Sequence, residues 1–342
     1  MTRVAISGVG AISPAGVGVR PLVAAAAAGD RISAAAIGLS VSESAALRKL
    51  RRSAPITLYG VSAVDEALRD AGTGGCASDD YALIAGITNG ALNFSVDFHK
   101  ELLAREMASP ALFSESVLNA PAGNASIAFN IRGPVHTLVG GPSVAIKALM
   151  LAASLIATGR AACVAAVCAE ERNALSSFCY SRLQPLAAGA LSEGAGALLL
   201  EPEDKSRGGQ LCVLSGYASG MVPGDPQGAL RRVIDSALAM SGLLALEDIN
   251  VGVTDIKTTE LIGDKVPVLS FFDVLGHAFC VSTIWNIILA AMAIRGSAVT
   301  PVFAGKLKKY AKHSEINHVI IYTTEESGAA AAVILSRAHA HS

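Results

Sequence analysis

The chain has 342 residues, a formal net charge of −1, 52% hydrophobic residues and 16% charged residues, with a mean hydropathy of +0.48. That length predicts about two domain-sized units, and so apolar a chain must bury much of its surface in a large core or against a partner. Near-neutral charge without an extended basic stretch argues against nucleic acid as a ligand, and the longest apolar runs, such as 287–294, fall short of the ~20 residues that span a bilayer.

The N-terminus, MTRVAISGVG, runs straight into an apolar strand without the ordered regions of a signal peptide, so a cytoplasmic location is expected. The six cysteines, at 76, 163, 168, 179, 212 and 280, have no CxxC spacing and read as reduced core residues. The opening glycines could suggest a dinucleotide fingerprint, but Gly8 and Gly10 are followed by Ser13 and Pro14, and the third glycine and helix start are missing.

In chain order, VSAVDEALRDAG reads as an amphipathic helix and DDYALIAGITNG as the strand after it. In NFSVDFHKELLAREM, Phe94, Phe98 and Leu102 recur at i, i+4 and i+8 and share one helical face. GPSVAIKALMLAASLIATG, residues 141–159, is a helix apolar on nearly all faces, closed by Gly159 as a left-handed cap. The strands ACVAAVCAEE and SEGAGALLLEP follow. A charged, Gly-containing stretch, EPEDKSRGG, marks an internal boundary over 202–209.

Beyond it the order repeats: helix LRRVIDSALAMSG, strand EDINVGVTDIK, apolar helix GHAFCVSTIWNIILAAMAIRG leading to SAVTPVF, and the strand pair NHVIIYTTEESGAAAAVILS. Strands alternating with helices predict an α/β architecture. Two copies, each with a buried helix, predict five layers of the form α-β-α-β-α. The halves are expected at 1–205 and 206–342.

Several segments resemble the β-ketoacyl synthase branch of the thiolase superfamily. VAISGVGAISPAG is similar to that family's opening strand and turn, and SVLNAPAGNASIAFNIRGP to the segment before the nucleophile, near the dimer interface. SEGAGALLLE and LGHAFCVS are similar to the later strand–turn–strand and to the segment carrying the second active-site histidine. The resemblance covers nearly the whole chain and implies the duplicated thiolase fold. It also implies a large dimer interface with a strand pairing across the two-fold axis, for which ACVAAVCAE is the expected edge.

A condensing enzyme of this family holds its acyl chain on a cysteine at the start of the buried helix, where the helix dipole favours thiolate. Carried onto this chain, that position falls on Pro142, which has no nucleophilic side chain and suits the first turn of a helix. Ser143 is the neighbouring chemical candidate, and a serine there needs a general base that the sequence does not supply. The first histidine falls on Ile256, the lysine on Phe272, and TTEESGAAAA replaces the glycine-rich loop near the C-terminus. The second histidine survives as His277, read as a structural residue that satisfies backbone groups or a neighbouring side chain. No cysteine lies between Cys76 and Cys163, so no small shift of register restores the thiol.

The resemblance therefore implies a chain length factor. This is an inactive subunit that pairs with an active ketosynthase and lines the tunnel for a chain delivered on the phosphopantetheine arm of an acyl carrier protein. Phe94, Phe98 and Leu102 are the expected tunnel residues, and overpacking a filled cavity costs about 1–3 kcal/mol, enough to stop extension. The short SRLQPLAAGALSEGAG segment and the alanine-rich stretch before Ile56 are closer to factors of highly reducing, polyene-forming systems. No cofactor, metal or nucleotide is implied. Two other readings remain at this point: an acyltransferase, hydrolase or dehydratase using His277 or Ser143, and a purely structural stabiliser of a ketosynthase.

Overall fold

The computed structural model describes residues 2–32, 37, 45–48, 50–73, 80–183, 191–205, 209–255, 262–307 and 315–338. Ile256, Cys76, residues 184–190 and the boundary residues 206–208 lie outside them.

The first half runs β1 (Val4–Ser13), β2 (Gly16–Val17), α1 (Val19–Ala28), α2 (Ala45–Arg48), α3 (Pro55–Asp70) and β3 (Tyr81–Ile87). It continues through α4 (Leu92–Arg105), α5 (Pro110–Ser116), α6 (Ala120–Phe129), β4 (Val135–Val139), α7 (Val144–Ala157), β5 (Cys163–Glu170), α8 (Ala174–Leu183) and β6 (Gly194–Pro202). The second half runs β7 (Cys212–Met221), α9 (Pro226–Ser241), β8 (Val251–Thr254), β9 (Val268–Ser270), α10 (Phe272–Leu275), α11 (Cys280–Arg295), α12 (Thr300–Leu307), β10 (His318–Thr324) and β11 (Ala329–Ser336).

The strand order is β4-β3-β5-β6-β1 in the first half and, continuing, β7-β11-β10-β8-β9 in the second. Reading outward from the junction, each half has its first strand, its last, then the strand after its buried helix, then the remaining two. The duplication expected from the sequence is therefore present strand for strand. One segment differs: SAVTPVF is the turn into α12, and the counterpart of β5 is β10. A proline inside SAVTPVF, at 301, suits the first turn of a helix better than a sheet interior.

The halves join where β1 pairs β7 through Val4, Ala5 and Ile6. Past Ile6 the β1–β6 register shifts and β1 leaves β7. Its backbone donors are then taken by α3: Val9 N–H donates to Asp70 (3.0 Å), and Ala11 N–H to Glu66 (2.9 Å). Glu66 and Asp70 are four residues apart on one helical face. Close approach of α3 requires glycine: a Cβ at Gly10 would lie 2.0 Å from the Ala63 carbonyl oxygen. The second half repeats the device, where a Cβ at Gly216 would lie 2.1 Å from the Ala237 carbonyl oxygen of α9.

Between the diverging sheets lie α7 and α11, and one apolar cluster joins them to strands of both halves. α3 and α6 cover the outer face of the first sheet and α9 that of the second, each over its own cluster. The result is the five-layer α-β-α-β-α thiolase fold. α7 ends as expected: Gly159 has φ 68°, and Arg160 N–H bonds the Leu155 carbonyl (2.9 Å) while Gly159 N–H bonds that of Ile156 (3.0 Å).

The expected edge strand is wrong. β5 pairs β3 on one side and β6 on the other, with every residue buried. β4 holds the edge, paired to β3 alone, with its ends Val135 and Val139 exposed. An apolar run cannot report which strand is outermost, because a strand that awaits a partner chain has the composition of one already covered.

Candidate functional site

The turn from β4 into α7 is short: Gly140 N–H bonds the Ile87 carbonyl and Val144 N–H that of Gly141. Pro142 sits within it, just ahead of Ser143, the cap residue of α7. Ser143 is buried, yet its hydroxyl donates to Glu325 Oε1 (2.5 Å) and its N–H to the same oxygen (3.2 Å). Glu325 comes from the turn between β10 and β11, 182 residues away. Its carboxylate lies so close over Gly141 that a Cβ there would fall within 2.7–2.9 Å of it. The protein thus places its own carboxylate over the helix start, where the dipole favours negative charge.

This is the base the sequence did not reveal, and its chemistry is poor. A carboxylate is a weak base toward an alcohol, and among the described residues no third group orients it. Both Ser143 donors are occupied by it.

The other central helix starts at Cys280, the residue of α11 related to the mouth of α7. Its thiol donates to the Gly86 carbonyl (3.5 Å) and lies 3.9 Å from Glu170 Oε1. Burial, the Cys168 thiol and the Glu170 carboxylate push Cys280 well above the usual thiol range, so it is no thiolate nucleophile. Glu170 itself is fully buried and pushed up to about 7 by burial. It accepts from the backbone N–H of Thr88 and of Asn89 (3.2 Å) and from Asn89 Nδ2 (3.3 Å).

His277 stands in an aromatic setting, its ring centroid 6.0 Å from Phe272 and 4.9 Å from Phe279; Phe279 in turn lies 4.6 Å from Tyr180. Burial lowers its pKa to about 4, so the imidazole is neutral. Its Nδ1 is buried without a partner among the described residues, and the His277 carbonyl accepts from Ser192 N–H (2.8 Å). The neighbouring Phe279 is a non-glycine residue at φ 53°, ψ −125°, a backbone held under strain by its surroundings.

Phe272, expected from the resemblance to stand at the family's lysine position, opens α10 with its ring beside His277. Ile256 lies outside the described residues; its neighbour Asp255 is buried at the end of β8. Thr283 Oγ1 donates to Asp255 Oδ2 (3.0 Å), and burial pushes the carboxyl up to about 6. Among the described residues no group of three His, Cys, Asp or Glu side chains could hold a metal, and no helix is long and apolar enough to cross a membrane.

Phe94, Phe98 and Leu102 do share one face of α4. Phe94 packs partly on the first-half core, Phe98 lies 5.6 Å from Phe113 of α5, and Leu102 is 41% exposed. Neither α4 nor α5 has a buried residue. Leu103 (86% exposed), Met107 (76%) and Ile127 of α6 (78%) extend the apolar surface toward the β4 edge, as does Val139 (53%). Apolar side chains so disposed beside an unpaired strand edge call for a protein cover.

Residues 77–207 match the family described as "Beta-ketoacyl synthase, N-terminal domain". A search of curated proteins gave no match. Among solved structures, "The ishigamide ketosynthase/chain length factor" is 21% identical, with a TM-score of 0.81, covering 98% of this chain and 100% of that one. A complex described as "AntDE:AntF (apo): type II PKS acyl-carrier protein in complex with its ketosynthase bound to the hexaketide" is 18% identical, with a TM-score of 0.78 over 99% and 100%. A β-ketoacyl synthase from Burkholderia phymatum STM815 is 16% identical, with a TM-score of 0.79 over 99% and 100%. The chain has the ketosynthase form of the thiolase fold along its whole length.

Proposed function

We propose that this chain is the non-catalytic chain length factor of a ketosynthase pair, a cytoplasmic subunit whose two halves divide at 205/206. The observation that carries the reading is the head of α7. No thiol is there, and the Ser143 hydroxyl and N–H are both held by Glu325. A subunit that cannot hold an acyl thioester at this point contributes to condensation by shape.

The partner is an active ketosynthase, which covers the β4 edge and the apolar α4–α6 surface. The growing chain, carried by an acyl carrier protein, passes between the subunits, and Phe94, Phe98 and Leu102 form part of the tunnel wall. Bulk on that wall limits length because inserting further carbons into a filled apolar space costs about 1–3 kcal/mol. The printed description of the ishigamide protein, a ketosynthase/chain length factor, supports the same role.

The test is coexpression with the cognate ketosynthase and mass spectrometry of the products. The pair is expected to condense and this chain alone to do nothing. Phe94→Ala with Phe98→Ala is expected to lengthen the product. Unchanged length with an intact pair would remove the tunnel assignment, and carbon–carbon bond formation by the isolated chain would remove the whole reading.

A further inference from the structure

α7 lies in the central layer, yet one stripe of it is uncovered. Lys147, Met150 and Leu151 are half-buried and Ser154 is exposed, while the residues between them are buried. Their spacing of i, i+3, i+4 and i+7 puts them on one face of the helix. Met150 and Leu151 pack partly on the same core as Leu138 of β4, and only residues 140–143 separate β4 from α7. The stripe therefore continues the open β4 edge.

This stripe carries one charge. Among the described residues the Lys147 ammonium has no ion pair or hydrogen bond. Glu325 stands one turn earlier, and it bonds Ser143 instead. An ammonium on a face that a partner covers loses its water, and a buried charge without a counterpart is costly. The cover must bring an acceptor.

Charge distribution along the chain tells which cover fits. From 116 to 169, through α6, β4, α7 and most of β5, there is no Asp or Glu, while Arg132, Lys147 and Arg160 are all cationic. A second copy seated on this edge about a two-fold axis presents the same strand and the same stripe. Cations then face cations, and Lys147 is buried unpaired. A different chain can carry a carboxylate at that point. Complementary charge guides such a pair, and like charge excludes the wrong one.

We propose that the Lys147 ammonium is met by a carboxylate of the ketosynthase partner and so selects that partner over a second copy of this chain. The inference rests on the proposed pairing and adds the residue that makes it unequal.

Sedimentation and native mass spectrometry of the coexpressed pair, with the isolated full chain alongside, test the idea. Lys147→Met removes the charge and keeps an apolar stem. It is expected to weaken the pair by about 30-fold or more, the usual effect of removing one partner of a buried charge pair. The isolated Lys147→Met chain is expected to self-associate at about tenfold lower concentration than the unaltered one. Lys147→Arg keeps the charge and should pair nearly as tightly as the unaltered chain. A pair indifferent to Lys147→Met would overturn the proposal and leave the chain-length role standing. An unaltered chain that binds itself as tightly as it binds the ketosynthase would also overturn it, by making a second copy the occupant. Absence of any pair would remove the role itself, and the proposal with it.

Discussion

The central helices α7 and α11 begin at related points of the two halves, and each beginning meets a carboxylate from the other half. Glu170, the last residue of β5, lies against Cys280 at the head of α11; Glu325, one residue past β10, lies against Ser143 at the head of α7. Their surroundings differ. Glu170 is sealed in the core and braces the backbone of Thr88 and Asn89. Glu325 is half-buried and bonds only the helix start. One carboxylate is a buried brace that also holds backbone of the first half, and the other holds only the start of its helix among the described residues. The halves also differ in what they carry: the link from β3 to β4 holds α4, α5 and α6, whereas the link from β8 to β9 has no helix among its described residues. The scaffold was duplicated; the proposed partner-facing surface belongs to the first copy.

The largest expected effect separates the two sheet edges. Val135→Asp with Val139→Asp places charges at the exposed ends of β4, leaving the core untouched, and is expected to weaken association with the ketosynthase by 100-fold or more, about 2.7 kcal/mol. Ser270→Asp on β9, the edge of the second half, should leave it unchanged. Size-exclusion chromatography or native mass spectrometry of the coexpressed pair checks both. Equal effects would mean that the halves share the interface.

Next comes a change that should treat the halves alike. Gly10→Ala drives a methyl group into the Ala63 carbonyl, and Gly216→Ala drives one into that of Ala237. Each forces helix from sheet and is expected to destabilise by about 3 kcal/mol, at the upper end of overpacking costs. Urea unfolding measures both. A neutral result at one site would show that the corresponding helix can move, and the equivalence would fail there.

These contrasts mark what a sequence can and cannot show. The duplication was legible because buried helices and alternating strands repeat as local patterns. The outermost strand was not legible: VHTLV and CVAAVCAE are both apolar, and only pairing tells them apart. Nor was Glu325, which reaches Ser143 through the fold rather than through spacing. Likewise, His277 could be placed at a helix start, but the aromatic setting made by Phe272 and Phe279 comes from the fold.

A smaller pair of effects tests the two carboxylates. Glu170→Ala leaves buried backbone donors at Thr88 and Asn89 without an acceptor and is expected to cost about 1–3 kcal/mol. Glu325→Ala removes the acceptor of the buried Ser143 hydroxyl and N–H, but the lost carboxylate is itself only half-buried, and the cost should be smaller, about 1 kcal/mol. Comparable losses in urea unfolding would mean that Glu325 is also a structural brace.

The smallest effect is a pH dependence with two opposing parts. Burial lowers His277 from 6.5 to about 4, so the unfolded chain takes up this proton first as pH falls. Its contribution to stability is complete above pH 6.5 and is lost on descent toward 4. Burial raises Glu170 from 4.5 to about 7, so the folded chain keeps that proton longer. Its contribution is complete below pH 4.5 and is lost as pH climbs to 7. The unaltered protein shows the sum, a shallow profile. His277→Phe, which suits the ring's aromatic neighbours, should leave a stability that falls as pH rises from 5 to 7.5, and Glu170→Gln should leave one that rises. Urea midpoints at those two pH values decide the matter: if neither variant steepens the profile, the charges of both groups are relieved by solvent, and the second half is less tightly sealed than the first.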